Sequence, residues 1–509
     1  MRIHFLQSKV DLQICFRDVS SQYECEDVHV QLYSQETHVQ HDGFRYAQAI
    51  CESAGSDASI RIMKNWIDRC RMTHQHAESK QGWKPTRLIQ LAKGEEESAK
   101  LYSPKASVDF AALSYRWGPG KHSQTTKANL AKRREKLETS DFPKTLQDAI
   151  LVTKKLGLEY LWIDRICIVQ DDKEDWAHEA SLMADVYESA YVVLSATATK
   201  DCKDGFLKTR EKPLVIPYTH IDPWTRKTSN RKVHARQIGS HHCQRSAPKT
   251  NYILFQRGWC MQERFLARRV VHFLPDEILF ECQDGRECEC GAACKENEVS
   301  GDYTTLAYNS FQRMRYLPDE YRRPFGLDWL DIIREYSKMV LTYGEDSLPA
   351  LSGLAARVEH LKPGKYIAGL WQRDIAFQMG WYLDPNSSMR RWNHLGNVDV
   401  LGPTFSWSSH AQPIRNEGLL TPRAICTLKR SVVSLATPNP YGRVRYASLC
   451  FSGRMVTGEE VGSKITMRSS LGYAGGVRLD SNLEYSTAAD DPNYGPHKSV
   501  LQGAGIRQN

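Results

Sequence analysis

Within RGWCMQER, residues 257–264, a tryptophan, a cysteine and a glutamate fall inside five positions, at the head of a run with helical spacing. A carboxylate such as Glu263 can stabilise a developing cation or move a proton. A thiol such as Cys260 can act as a nucleophile only when its thiolate is stabilised. Cys260 has no base beside it in the sequence, and cysteine is usually buried, so packing is its reading. For Glu263 two readings stand: a carboxylate favoured by the amino end of its helix, or a group with a reaction to run.

Two further clusters close apolar runs. Arg116, Trp117 and Gly118 follow DFAALSY, and Gln170, Asp171 and Asp172 follow YLWIDRICIV. If those runs are parallel strands, both clusters border the edge where such sheets bind ligands, and an arginine with free turn amides suits a phosphate. The alternative is that Trp117 packs and Asp172 only caps a helix. Asp164 stands in the middle of YLWIDRICI, where an ionised carboxylate is costly unless it is paired. Its partner is a neighbouring loop or arginine, or a ligand.

Cys282, Cys288, Cys290 and Cys294 lie within thirteen residues, with five, one and three residues between them. That spacing does not match the paired C-x-x-C of zinc sites, and it reads as free thiols in a loop.

The elements that must position these groups follow from periodicity. SIRIMKNWIDRCRMTH places Ile60, Met63, Ile67 and Cys70 at helical spacing. Phe110 to Trp117 reads as a buried strand ended by Gly118-Pro119-Gly120. TLQDAILVTKKLG reads as a helix, with Thr145 as N-cap, Asp148 three positions on and Gly157 as its stop. Residues 160–168 read as a second strand, and Asp172 caps a helix with Trp176, Ala180, Met183 and Tyr187 on one face. YVVLSAT, 191–197, is a third strand. This alternation predicts a parallel sheet with right-handed crossovers. Residues 205–255, rich in Lys, Arg, His, Ser and Pro, read as an exposed insertion. After it, GWCMQERFLARR forms a helix leading into a strand at VVHFL. WLDIIREYSKMVLT and SGLAARVEHL read as amphipathic helices, and TFSWSS, SVVSLA, RYASLCFSG and KITMR as short strands.

Length and composition bound the rest. A chain of 509 residues that is 41% apolar can bury a large core. Its 68 basic and 60 acidic residues give a net charge of +8 with no run of five or six like charges, which argues against a nucleic-acid arm. MRIHFLQSKVDLQICF lacks the apolar core of a signal peptide, and no segment approaches the ~18 apolar residues of a membrane span. Fourteen cysteines without secretory features read as reduced thiols of a cytoplasmic protein.

Three blocks, FAALSYRWG (110–118), YLWIDRICIVQDDKEDWAHEASLMADVYESAYVVLSATA (160–198) and RGWCMQERFLARRVVHF (257–273), together resemble the fungal heterokaryon-incompatibility (HET) domain proteins. IMKNWIDRCRMTH and KPTRLIQLA resemble the family's lead-in. WLDIIREYSKMVLTYGEDSLPALSGLAARV, GLWQRDIAFQMGWY and PTFSWSS resemble its downstream region. The family's lead-in carries a second cysteine three positions after the histidine, where this chain has Cys70, His74 and then Ala77, and no metal is assigned there.

The resemblance implies an α/β fold: a flavodoxin/TIR-like parallel sheet core with a helical and β-containing C-terminal region. It implies a lead-in over 1–105, a HET domain over 106–290 with the insertion at about 205–255, a mainly helical region over 291–400, a short-strand β region over 401–482 and a loose tail over 483–509. It also implies a role in fungal self/non-self recognition and regulated cell death. Many TIR domains cleave NAD at the nicotinamide–ribosyl bond, and plant-type ones carry W-C-x-x-E, with the glutamate catalytic, on the helix after the third strand. Trp259, Cys260 and Glu263 reproduce that motif in that position. The implied site has Glu263 as catalytic residue and Arg116, Trp117, Gly118, Asp164, Asp171 and Trp259 binding NAD as substrate, with no metal and no resident cofactor. Arg116 and the amides near Gly118 would hold the pyrophosphate, and Trp117 or Trp259 would stack on a ring.

The expected partner is another protein or a second copy bound through the HET domain, with no nucleic acid. No G-x-x-x-x-G-K-[ST] motif is present, so a trigger comes from another chain. Two other functions remain open: a self-associating signalling module without catalysis, and an accessory or tailoring protein of a fungal biosynthetic gene cluster.

Overall fold

The computed structural model describes residues 2–5, 11–15, 27–35, 45–76, 82–93, 98–120, 123–222, 224–237, 252–291, 303–317, 324–389, 391–392, 402–415, 426–453, 458–461, 464–468 and 474–478. These form two units: 1–179 with 188–254 and 267–300, and 180–187 with 255–266 and 301–509. The expected tail at 483–509 and Cys294 lie outside the described residues.

The first unit opens with β1 (Arg2–Phe5), β2 (Asp11–Cys15), β3 (Asp27–Ser34) and β4 (Arg45–Tyr46), then α1 (Asp57–Thr73). Ser56 caps α1 by accepting the Ser59 N–H, and Ile60, Met63, Trp66, Ile67 and Cys70 are buried along one face, as the spacing predicts. Next come β5 (Leu88–Gln90), β6 (Lys100–Tyr102) and β7 (Ala111–Ser114). Then follow α2 (Leu130–Glu135), α3 (Lys144–Leu156), β8 (Tyr160–Trp162), α4 (Asp164–Cys167), α5 (Lys173–Ser189) and β9 (Val192–Ser195).

β7 and β9 are buried throughout, as strands covered on both faces must be. Gly157 ends α3 in the left-handed conformation, φ +88°. Thr145, however, is not the cap of α3. The helix begins two residues earlier, with Pro143 at the cap position, and the Asp148 carboxylate accepts the backbone N–H groups of Phe206 and Leu207 instead.

The central sheet runs β14-β13-β12-β9-β7-β8-β5-β6, where β12 is Arg269–Phe273, β13 Ile278–Cys282 and β14 Gly285–Cys288. The pairs β12·β9, β9·β7 and β7·β8 are parallel, while β5, β6, β13 and β14 join antiparallel. The core is therefore a parallel sheet with antiparallel edges rather than parallel throughout. The first parallel strand, β7, lies inside the sheet between the second and the third, so the crossovers reverse direction between β7 and β9.

Three local expectations change. The second strand stops at Trp162, and Asp164 starts a four-residue helix rather than sitting inside a strand. Trp176 is 39% exposed, and Glu179 takes the buried position on α5 beside Arg87, Nη2 to Oε1 3.3 Å. The stretch 205–255 contains a hairpin, β10 (Leu214–Ile221) with β11 (Thr228–Gln237). β11 pairs with β3, giving a second sheet in the order β1-β2-β3-β11-β10. Val215, Ile216, Tyr218 and Thr219 supply its strand propensity.

The second unit holds α6 (Gly258–Phe265), α7 (Tyr303–Tyr316), α8 (Phe325–Tyr336) and α9 (Ser352–Val358), and the hairpin of Cys426–Leu435 with Val444–Gly453. Its core is aromatic: Trp329, Trp371 and Trp407 are buried, and the buried Arg391 guanidinium lies 4.8 Å from the Tyr336 ring centroid. TFSWSS forms a 3-10 turn at Trp407–Ser409 rather than a strand, because the Ser406 side chain accepts the Ser408 N–H.

Candidate functional site

Beyond Ser114 the chain leaves the sheet through buried Tyr115, exposed Arg116 and partly buried Trp117. Gly118 then takes φ +74°, and a Cβ there would meet the Asp201 carboxylate at 2.3–2.7 Å. Only glycine lets this turn reach the loop that follows β9.

Trp117 donates its indole N–H to Asp164 Oδ2 at 2.8 Å, and Asp164 Oδ1 accepts the Arg165 backbone N–H at 2.6 Å. The Arg165 guanidinium lies over the same indole ring, 4.2 Å from its centroid. Arg165 is only 3% exposed, and its Nε and Nη1 have no hydrogen-bond acceptor among the described residues. The ring quadrupole offsets part of the cost of burying that charge, but two donors still point at no acceptor. Burial, reinforced by Asp164, pushes the Tyr115 hydroxyl well above its ordinary range, so Tyr115 keeps its proton.

Asp171 is exposed and accepts the Lys127 backbone N–H at 2.8 Å, fixing the loop ahead of α2. Asp172 caps α5 by accepting the Glu174 and Asp175 N–H groups and faces Lys127 Nζ at 3.1 Å. Among the described residues no ion pair holds Arg116. The structure thus brings Arg116, Trp117, Gly118 and Asp164 to the carboxyl ends of β7 and β8, with Asp171 one loop further on.

Trp259, Cys260 and Glu263 belong to the second unit. The Trp259 indole donates to Asp346 Oδ2 at 3.3 Å, which engages the polar edge of that ring within its own unit. Burial raises the Asp346 carboxyl above its ordinary value, opposed by the Trp259 hydrogen bond and Arg443. Cys260 is buried, as its type predicts. Glu263 is also buried, but it is the sixth residue of an eight-residue helix. That position lies beyond the first turn, so the favourable amino-end dipole expected from the sequence does not reach it.

Two groups escape a sequence reading. Arg165 follows Asp164 in YLWIDRICI, and the argument that flags a charge inside an apolar run applies to it equally. The other is a buried polar chain: Ser195 Oγ to Thr197 Oγ1 at 2.9 Å, Thr197 Oγ1 to His272 Nδ1 at 3.0 Å, His272 Nε2 to Glu281 Oε2 at 3.0 Å, and Arg286 Nη2 to Glu281 Oε1 at 3.0 Å. Strand alternation could have placed Ser195, His272, Glu281 and Arg286 in β9, β12, β13 and β14, but not Thr197 between two of them.

A mixed α/β domain, whose central sheet has four parallel strands flanked by antiparallel ones, therefore presents an arginine–tryptophan–aspartate cluster at the carboxyl ends of its parallel strands. Residues 110–263 match the family described as heterokaryon incompatibility protein (HET), and the chain carries a HET domain. No curated protein and no solved structure matched the chain. No helix among the described residues is long and apolar enough to cross a membrane.

Proposed function

We propose that this HET-domain chain is an effector of fungal self/non-self recognition and regulated cell death that binds NAD at the carboxyl edge of its parallel sheet and cleaves it. The observation that carries the binding is Arg165, a buried guanidinium with two donors lacking protein acceptors, held over Trp117 at that edge. A phosphate oxygen is the natural acceptor for such donors. Exposed Arg116 adds charge beside it, and the strand order second-first-third-fourth is that of flavodoxin-like sheets, which bind ligands where the crossovers reverse. Trp117 has its edge bonded to Asp164 and one face covered by Arg165, so its share in binding is to hold that arginine.

The cleavage reading rests on the W-C-x-x-E motif of Trp259, Cys260 and Glu263 alone, independently of the Arg165 cluster, with Glu263 as the carboxylate. The C1′–N bond would break with its electron pair passing to the nicotinamide ring. Water would bond to C1′ and release a proton, and the carboxylate would stabilise the intervening oxocarbenium character.

The test measures NAD binding and the release of nicotinamide and ADP-ribose by the full chain, for wild type, Arg165→Met and Glu263→Gln. NAD affinity is expected to fall about 10-fold or more in Arg165→Met, because one charge-assisted hydrogen bond is lost. Glu263→Gln is expected to bind NAD and release nothing. Binding unchanged in Arg165→Met rejects the nucleotide site, and release unchanged in Glu263→Gln rejects the catalytic role. Absence of release at any protein concentration favours a recognition module without catalysis. The engagement of both Asp164 oxygens within the protein supports that second reading.

A further inference from the structure

At the carboxyl end of α1 the chain places Cys70 in the last turn, His74 as C-cap and His76 two residues beyond. Cys282, the last residue of β13, meets them from a position more than 200 residues away in sequence. His76 Nε2 lies 2.9 Å from Cys70 Sγ, and His74 Nδ1 lies 3.3 Å from Cys282 Sγ. All four ligand atoms fall within 4.8 Å of one another. Tetrahedral zinc with Zn–S of about 2.3 Å and Zn–N of about 2.0 Å sets ligand atoms roughly 3.3–3.8 Å apart, so small side-chain adjustments suffice. Both sulfurs are buried, Cys70 at 2% and Cys282 at 3% exposure.

The surroundings are those of a ligand set rather than of idle thiols. Asp284 Oδ2 stands 3.3 Å from His76 Nδ1, the nitrogen left over when Nε2 faces the sulfur. The two atoms are not yet aligned for a hydrogen bond, but a small side-chain rotation would give the carboxylate–histidine arrangement that fixes the tautomer of a metal-bound imidazole. A divalent ion that bound here would displace the protons of both thiols and neutralise the two sulfur charges so formed. The elements bearing the ligands are also fastened to one another: Trp66 stacks on Phe280 with ring centroids 6.1 Å apart, and Arg69 pairs with Glu287.

We propose that Cys70, His74, His76 and Cys282 form a structural zinc site that ties the end of α1 to the β13–β14 hairpin. Four protein ligands close the coordination sphere, which marks a structural rather than a catalytic ion, and two sulfurs with two imidazole nitrogens select zinc over calcium or magnesium. On this proposal Cys70 and Cys282 are zinc ligands rather than free thiols, and the lead-in holds a metal. The missing cysteine at Ala77 is supplied in space by Cys282. The spacing C-x-x-x-H-x-H conceals the set, because its fourth member comes from another element.

The full chain purified without chelator, with its metal measured by plasma mass spectrometry, is expected to carry about one zinc per molecule. Reconstitution of the stripped protein with Co²⁺ should give the intense visible bands of a tetrahedral ion and near-ultraviolet thiolate charge transfer. Cys70→Ser/Cys282→Ser should lose both metal and bands, whereas Cys426→Ser/Cys450→Ser, two cysteines of the second unit, should keep them. If the first pair fails to fold, Asp284→Asn decides: Zn²⁺ affinity should fall about 10- to 100-fold. Substoichiometric zinc with no tetrahedral cobalt spectrum overturns the proposal. So does full metal content after Cys70 and Cys282 are replaced, or a Cys70–Cys282 disulfide in the protein as isolated. None of these readouts depends on NAD.

Discussion

Trp117 and Asp164, 47 residues apart, are joined by a 2.8 Å hydrogen bond from the indole to the carboxylate. The bond links the exits of two neighbouring parallel strands and holds the ring on which Arg165 lies. Trp117→Phe keeps an aromatic face for Arg165 and deletes the donor. Because the carboxylate is partly exposed, the cost should be about 1–2 kcal/mol in chemical denaturation, below the full value of a charged hydrogen bond. An unchanged unfolding midpoint would show that the bond does not hold the two exits together.

Gly118→Ala should be costly for two separable reasons. Its φ of +74° costs an alanine about 1–2 kcal/mol, and the new Cβ meets Asp201. On an Asp201→Ala background the steric part should vanish while the conformational part remains. A double-mutant cycle measures the difference, and strict additivity would contradict the close approach.

The buried chain from Thr197 through His272 to Glu281 should behave as one unit. Glu281→Ala removes the acceptor for both His272 and Arg286, and leaving the buried His272 donor unsatisfied costs about 1–3 kcal/mol. The expected readout is a large fall in thermal midpoint, with a smaller one for Glu281→Gln. Similar, small effects from both would mean that the chain is not coupled.

Asp346 gives the pH dependence a sign. Its folded carboxyl is held by burial above the ordinary value of 3.8, so the folded form binds its proton more tightly than the unfolded form. Stability from this group is therefore highest below that ordinary value and falls as pH rises toward the raised folded value, above which the penalty is complete. Asp346→Asn should flatten the slope of unfolding free energy in the weakly acidic range. An unaltered slope would remove Asp346 as its source.

How much of this was legible in the sequence depends on the range over which each feature is encoded. The helix Asp57–Thr73, the strand Val192–Ser195 and the stop at Gly157 are written in local periodicity and a single glycine, and they stand where expected. The end of β8 was not legible, because an apolar run such as YLWIDRICI fits a strand or a short buried helix equally well. Trp117 and Asp164 could each be singled out, but their bond to each other could not. The tetrad of Cys70, His74, His76 and Cys282 was hidden for the same reason, since no local spacing reports a ligand more than 200 residues away.

The pairing of β3 with β11 sets a timetable for synthesis. β3 is complete at Ser34, but its neighbour is complete only at Gln237, roughly 200 residues later. At about 5–20 residues per second, the free side of β3 waits roughly 10–40 s on the ribosome without its partner. An unpaired edge of that kind recruits other strands, so nascent chains of this protein should depend on chaperones that shield the amino-terminal strands until the hairpin emerges.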